Sequence, residues 1–258
     1  MIVRMATALI LCWALAGSQP GRAEELVASV SSDTVSIQSN FTGTEIVIFG
    51  QVIRDTNTIG RRGTYELAVV VQGPPQDITA RRKGRFAGVW VNRDYEQFRD
   101  VPAFYAVTST VRIGDMADRV VLDEHEIGLN HLNLAVSGSS AVPLSERDDF
   151  REAFLRLRQQ QGLYSERHGA VEFLTETMFR TTIPLPANIP VGNYLVKSFL
   201  FQDGVLLSRT ESDLFVRKTG FEQFTFDFSR EYSFVYGIVA VMLAMFTGWL
   251  AGVIFKKD

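Results

Sequence analysis

The sequence predicts a mainly β protein: an immunoglobulin-like β-sandwich with a partly helical insertion, followed by one membrane-crossing helix towards the C-terminus. Three observations predict it. Roughly seven to nine short β-rich runs, separated by Gly, Pro and Asn turn signals, lie between Thr34 and Val216. The stretch from about Asn92 to Gly162 interrupts that rhythm with helical spacing. From Ser233 to Phe255 there is no charged residue.

The strongest element is the segment Tyr232–Phe255, YSFVYGIVAVMLAMFTGWLAGVIF. A helix of about 23 residues at ~1.5 Å rise is roughly 34 Å long, enough to cross a hydrocarbon core of ~30 Å with modest tilt. A soluble helix of that length has no need to be apolar on every face. The expected span is 233–255, followed by a tail of Lys256, Lys257 and Asp258. At the other end, residues 1–23 read as a signal peptide. Arg4 precedes an apolar run from Met5 to Gly17, and Gly21-Arg22-Ala23 places cleavage after Ala23. About 13 apolar residues are too few for a comfortable second span. The apolar run continues past Cys12, which argues against lipid attachment there. A cleaved leader and a stop just before two lysines give a single-pass type I topology, with residues 24–219 as the exported domain.

Composition narrows the function classes. The 258-residue chain carries 26 basic and 29 acidic residues, and loss of the leader removes Arg4 and Arg22. No segment concentrates Lys and Arg as a nucleic-acid surface would, so no nucleic-acid partner is expected. Cys12 is the sole cysteine, which leaves the processed chain without disulfides or thiolate metal sites. Stability has to come from a packed core.

In chain order, Thr34–Gln38 alternates as a half-buried strand, Phe41–Thr44 reads as a turn, and Glu45–Phe49 as a second strand. Asp55–Gly63 is a polar loop, with Arg61 and Arg62 in solvent; Thr64–Val71 is a buried strand closed by Gly73-Pro74-Pro75. Asp77–Lys83 and Phe86–Val91 are expected as two strands about a turn at Gly84, with Trp90 in the core. Asn92–Tyr105 is expected as an ordered loop entering a strand near Ala106, and Asp115–Leu134 as one or two short helices. Ser145 caps a helix to Gln161 whose Phe150, Phe154 and Leu157 share a face, ended by Gly162. Strands return at Val171–Leu174 and Met178–Leu185. Gly192–Phe201 and Val205–Val216 form a hairpin about Gln202-Asp203-Gly204. The Pro190-x-Gly192-x-Tyr194 run entering a strand resembles the tyrosine corner of immunoglobulin-like sandwiches.

Three stretches are candidates for interaction. In the membrane segment, Ala240, Ala244, Gly248 and Gly252 fall at every fourth position, a helix-packing face that lets another helix approach closely. Phe221, Phe224, Phe226, Phe228 and Tyr232, in the juxtamembrane segment 220–232, read as membrane-interface aromatics. Trp90, Asn92, Arg93, Asp94, Tyr95, Phe104 and Tyr105 form a candidate recognition loop, since aromatics beside polar groups supply contact area and orientation together.

Catalytic motifs are not found. His125-Glu126 is followed by Leu129 where a His-Glu-x-x-His zinc site needs its second histidine. The next one, His131, falls on another helical face, and His168 lies in a loop. There is no Gly-x-Ser-x-Gly elbow, and Ser137-Gly138-Ser139-Ser140 has no evident partner base. No phosphate-binding loop or dinucleotide fingerprint occurs, so the chain is read as a non-enzyme without a cofactor.

Several runs in combination resemble a known family. They are SNFTGTEIVIFG (Ser39–Gly50), FAGVWVNRD (Phe86–Asp94), VPAFYAV (Val101–Val107), LPANIPVGNYLVKSFLFQDG (Leu185–Gly204), VRKTGFEQFTFDF (Val216–Phe228) and GWLAG (Gly248–Gly252). By these the chain resembles the alphaproteobacterial transmembrane proteins of the Alph_Pro_TM family over nearly all of its exported length. The resemblance implies a signal peptide, an exported β-rich domain and one C-terminal helix, hence a bacterial inner membrane location with the bulk of the chain in the periplasm. It also implies a transport association, because members are often encoded beside permeases similar to TauE/SafE sulfite exporters. No catalytic residue carries over.

The expected function is a non-catalytic accessory subunit of a TauE/SafE-like (sulfite/organosulfonate-type) permease. The membrane helix would pack on the permease or on a second copy, and the loop around Trp90–Tyr105 would touch partner or substrate. The alternative is a membrane-tethered binding module for a small anion or envelope component, acting alone or as a homodimer, with Arg81, Arg82, Lys83 and Arg93 as its first cations.

Overall fold

A computed structural model describes residues 24–38, 40–54, 64–136, 147–219 and 228–254. The expected signal peptide, Arg61 and Arg62, the Ser137–Ser140 loop, the Ser145 cap, Phe221, Phe224, Phe226 and the terminal lysines lie outside them.

Alternation builds the first sheet. In β11 (Met178–Pro186), Phe179, Thr181, Ile183 and Leu185 point inward, as do Ile46, Ile48 and Val52 of β3 (Gly43–Arg54). Flanked by β1 (Glu24–Val30) and β10 (Val171–Phe173), they form a four-stranded antiparallel sheet in the order β1-β3-β11-β10. The second sheet has the order β2-β13-β12-β4-β7-β9. Its strands are β2 (Thr34–Ile37), β13 (Val205–Lys218), β12 (Gly192–Gln202), β4 (Glu66–Gln72), β7 (Tyr105–Ser109) and β9 (Tyr164–His168). Its two edges, β2 on β13 and β9 on β7, pair in parallel; the interior pairs are antiparallel.

β4 and β7 are buried along both faces because different partners cover each one. Thr108 of β7 meets the first sheet, accepting from Thr181 Oγ1 at 3.1 Å, while Tyr105, on the opposite face, reaches the helical insertion. One continuous core results. Both sheets contribute, together with the insertion's Ile113, Met116, Leu122 and Leu129. The chain's start is split between the sheets, β1 on one and β2 on the other. The order β1-β3-β11-β10 facing β13-β12-β4 parallels the ABED and GFC sheets of immunoglobulin-type sandwiches. At the entry to β12, the Tyr194 hydroxyl donates to the Pro190 carbonyl at 2.5 Å.

The insertion runs through α1 (Ile113–Met116), α2 (Arg119–His125), a 3-10 turn (Leu129–His131), β8 (Ala135–Val136) and α3 (Arg147–Gln160). It thus starts some 20 residues later than its expected start at Asn92. In α3 the buried side chains are Phe150, Phe154 and Leu155. Leu157, expected inward, is exposed. The helix is held on the side where Phe154 meets Phe98 and Tyr164 at 5.2 and 5.7 Å, which leaves Leu157 on a rim facing Ala80–Lys83.

The largest departure from expectation is a third sheet, in the order β5 (Pro75–Phe86), β6 (Val89–Pro102), β8, in which β8 pairs only with Phe98 and Arg99 and the rest is a two-stranded ribbon. β5 and β6 form a long antiparallel arm. It continues the β4–β7 ladder without a break: Gln72 pairs with Tyr105, Gly73 N–H donates to Phe104 O, Ala103 N–H to Pro74 O, and Pro75 pairs with Pro102. The expected turn at Gly84 is strand. The reversal comes at Ala87-Gly88, both at positive φ (49° and 87°), the backbone of a tight primed hairpin turn. The expected loop Asn92–Tyr105 is therefore mostly β6.

After the β-domain, α4 (Ser233–Ile254) contains one candidate membrane span, Ser233–Gly252, with a mean hydropathy of 2.0.

Candidate functional site

Three features could engage something outside the chain, and each begins in local sequence. The first is α4. Ala240, Ala244, Gly248 and Gly252 follow one another by full turns, and a Cβ added at Gly248 or Gly252 would meet open space. No part of the described chain covers this helix. Thr247, the polar residue beside the row, satisfies itself by donating to Leu243 O and Ala244 O. At the helix entrance, Phe228 and Tyr232 stack one turn apart with ring centroids at 5.7 Å.

The second feature is the arm. Its lower half is anchored: Phe98 is buried, Arg82 lies over the Phe150 ring at 5.4 Å, and Arg82 pairs with Asp94 at 2.9 Å. Above that ion pair the ribbon is exposed on both faces. Phe86, Val89 and Trp90 are 73%, 63% and 68% exposed. Trp90 is thus a surface residue, contrary to its expected place in the core. Cross-strand register puts Arg81 opposite Tyr95, Lys83 opposite Asn92, and Arg85 opposite Trp90, all on one face. The other face carries Phe86, Val89 and Val91, and the Arg93 side chain lies against Gly84.

The third is a polar cleft of about 560 Å³ between α2 and the outer face of β12–β13. Arg119, Asp123, His131, Arg151, Lys197, Arg209 and Glu211 line it. His131 Nδ1 sits 2.6 Å from Asp123 Oδ1, and Arg119 sits 3.4 Å from the other oxygen. The His131 hydrogen bond, with the charges of His131 and Arg119, holds the Asp123 carboxyl below the ordinary carboxylate range. Arg151 is tied to Asn130 O and Leu132 O, and burial lowers its guanidinium from the usual value.

A family model described as "Putative transmembrane protein (Alph_Pro_TM)" matches residues 25–257, which takes in the sandwich, the arm and α4. The chain belongs to this family. No curated protein matches it.

In this Alph_Pro_TM chain the candidate recognition residues part company. Trp90, Asn92, Arg93, Asp94 and Tyr95 lie on the outer arm, whereas Phe104 and Tyr105 are fully buried in the sandwich. Phe104 and Tyr105, expected in the loop, are buried because they follow the point where the ribbon re-enters the sheet. Arg81, Arg82, Lys83 and Arg93 all lie on the arm but divide between its two faces, Arg81 and Lys83 on one and Arg82 and Arg93 on the other.

Two constellations superficially resemble chemistry. Ser109 Oγ is 3.4 Å from His168 Nδ1, and His168 Nε2 is 3.4 Å from Glu166 Oε1. Ser109 is buried, however, and its hydroxyl donates to Val111 O at 2.6 Å, so its proton is directed away from the imidazole. His125 packs its ring on Phe199 at 5.5 Å, and the Glu126 carboxylate accepts from Gln72 and Asn133. Among the described residues no three His, Cys, Asp or Glu side chains converge as metal ligands. The sequence did not indicate the polar cleft, because its lining comes from α2, the 3-10 turn, α3, β12 and β13, and only folding brings these together.

Proposed function

We propose that this protein is a non-catalytic accessory subunit of a polytopic permease of the TauE/SafE-like type, held in the inner membrane with its β-domain in the periplasm. The observation that carries the reading is the bare small-residue row of α4. In a bilayer, lipid tails are as apolar as leucine, so a row of Ala and Gly gains its advantage only when a second helix packs closely on it. No other part of the described chain covers that row. The transport association that the family resemblance implies favours a permease as the partner, and a second copy is the competing one.

The test is cross-linking in cells followed by mild-detergent pull-down of the tagged full-length protein, identified by mass spectrometry. The expected result is stoichiometric recovery of a permease, lost in the Gly248→Leu/Gly252→Leu double variant. Recovery of self-cross-links alone, or a complex indifferent to both substitutions, overturns the reading.

The polar cleft favours a second reading, a tethered binding module for a small polar ligand. Its cations would then be Arg119, Lys197 and Arg209 rather than those of the arm. Calorimetric titration of the full-length protein with sulfate and sulfite tests it, and absence of saturable heat counts against it.

A further inference from the structure

We propose that the outer half of the β5–β6 arm docks on the anionic surface of the bilayer that α4 crosses, with Phe86, Val89 and Trp90 entering the headgroup region. This does not depend on the permease reading.

Chemistry is the first support. Beyond the Arg82–Asp94 pair, residues 83–93 contain Lys83, Arg85 and Arg93 and no acidic residue, in a chain whose net charge is −3. Local charge is therefore opposite to the global charge and complementary to anionic lipid. A tryptophan and a phenylalanine next to cations suit an interface where apolar rings meet headgroups. On the face with Arg81, Lys83 and Arg85, Tyr95 and Trp90 lie directly across the ladder, so cations and rings act from the same side.

Topology is the second support. β12 is antiparallel to both β4 and β13, so those two strands run the same way. Leu195 pairs with Gln72 on one side and with Asp213 on the other. The arm thus leaves the six-stranded sheet at the same end from which β13 runs on towards α4. Twelve residues of β5 span roughly 40 Å. Bulges between Gln76 and Ile78 and between Arg82 and Lys83 set the bends along that reach. The β12–β13 turn at Asp203-Gly204 lies at the opposite end of the sheet and has no such cluster, which makes it a natural control.

The experiment uses the full-length protein with Cys12→Ser, carrying a single new cysteine at Val89 or at Val205. The cysteine is labelled with an environment-sensitive fluorophore, and the protein is reconstituted into protein-free vesicles. A Val89→Cys label should be quenched by spin-labelled lipid in phosphatidylglycerol-rich vesicles and far less in phosphatidylcholine alone. A Val205→Cys label should stay unquenched in both. Replacing Arg81, Lys83 and Arg85 by Gln should lower tip occupancy about fivefold per cation at low salt. Equal quenching in neutral lipid, a Val89→Cys label as water-exposed as Val205→Cys, or shielding that appears only when native membrane proteins are added would each overturn the proposal; the last would assign the arm to a protein partner.

Discussion

The Tyr105 hydroxyl donates to the Glu126 carbonyl at 2.7 Å and in the same position accepts the Gly128 N–H at 2.8 Å. Tyr105 belongs to a core strand, and Glu126 is the left-handed cap that ends α2 (φ 54°). One buried phenol thus fixes the helical insertion to the sandwich. Burial pushes its ionisation far above the usual tyrosine range, so it remains a neutral donor. Tyr105→Phe leaves the ring in place but strands both backbone groups, and should lower domain stability by about 1–3 kcal/mol. Urea unfolding of the full-length protein in detergent would show it; an unchanged midpoint would mean water replaces the hydroxyl.

Tyr194 makes a different tie, binding the Pro190 carbonyl of the loop that leads into its own strand. Tyr194→Phe removes one hydrogen bond at a partly buried site, with an expected cost of about 1 kcal/mol. Hydrogen exchange should rise first at Val191–Asn193. Equal exchange there in both proteins would refute the assignment.

Gly50 is the tightest glycine in the sandwich. A Cβ there would collide with Val27 O and come within 2.6 Å of the Phe179 ring, between β1 and β11. Gly50→Ala should therefore destabilise by about 1–3 kcal/mol through overpacking. Gly114→Ala, in α1 with nothing within 4 Å, should instead be neutral or stabilise by up to about 1 kcal/mol. Thermal melts of the two variants that move together would contradict the packing at Gly50.

Asp123 predicts a pH response. Its carboxyl is depressed in the folded chain by the His131 hydrogen bond. Its stabilising contribution is thus fully present above the ordinary carboxylate pKa of about 3.9 and is lost as pH falls through the lower folded value. His131→Ala should move the Asp123 titration, followed by carboxyl NMR, up towards the ordinary range. A midpoint that stays depressed would shift the cause to Arg119.

The mainly β character, the β12–β13 hairpin and the apolar α4 were legible because each imposes a short-range pattern: alternation, an Asp203-Gly204 turn, or an unbroken apolar run. β9 was not legible, since YSERH is polar and pairs only as a parallel edge. Nor was β1, another edge strand with Val27 exposed. The arm misled for the opposite reason. The run Phe86–Val91 has the composition of a buried strand, and only the folded register shows that, among the described residues, it stays exposed. At the candidate sites, the spacing of the α4 row could be read directly, whereas the cleft joins residues as far apart as Arg119 and Glu211.

The parallel pairing of β2 with β13 sets an order of events during synthesis. Val35 finds Val216 only after roughly 180 further residues have been made, so an early strand waits, unpaired, for the last one. β13 ends at Lys218 and α4 starts at Ser233. Closure of the sandwich and delivery of its anchor are therefore nearly simultaneous. A chain terminated before β13 lacks the closing strand and the membrane helix together, and is released with open sheet edges, a form that proteases can remove before it reaches any partner.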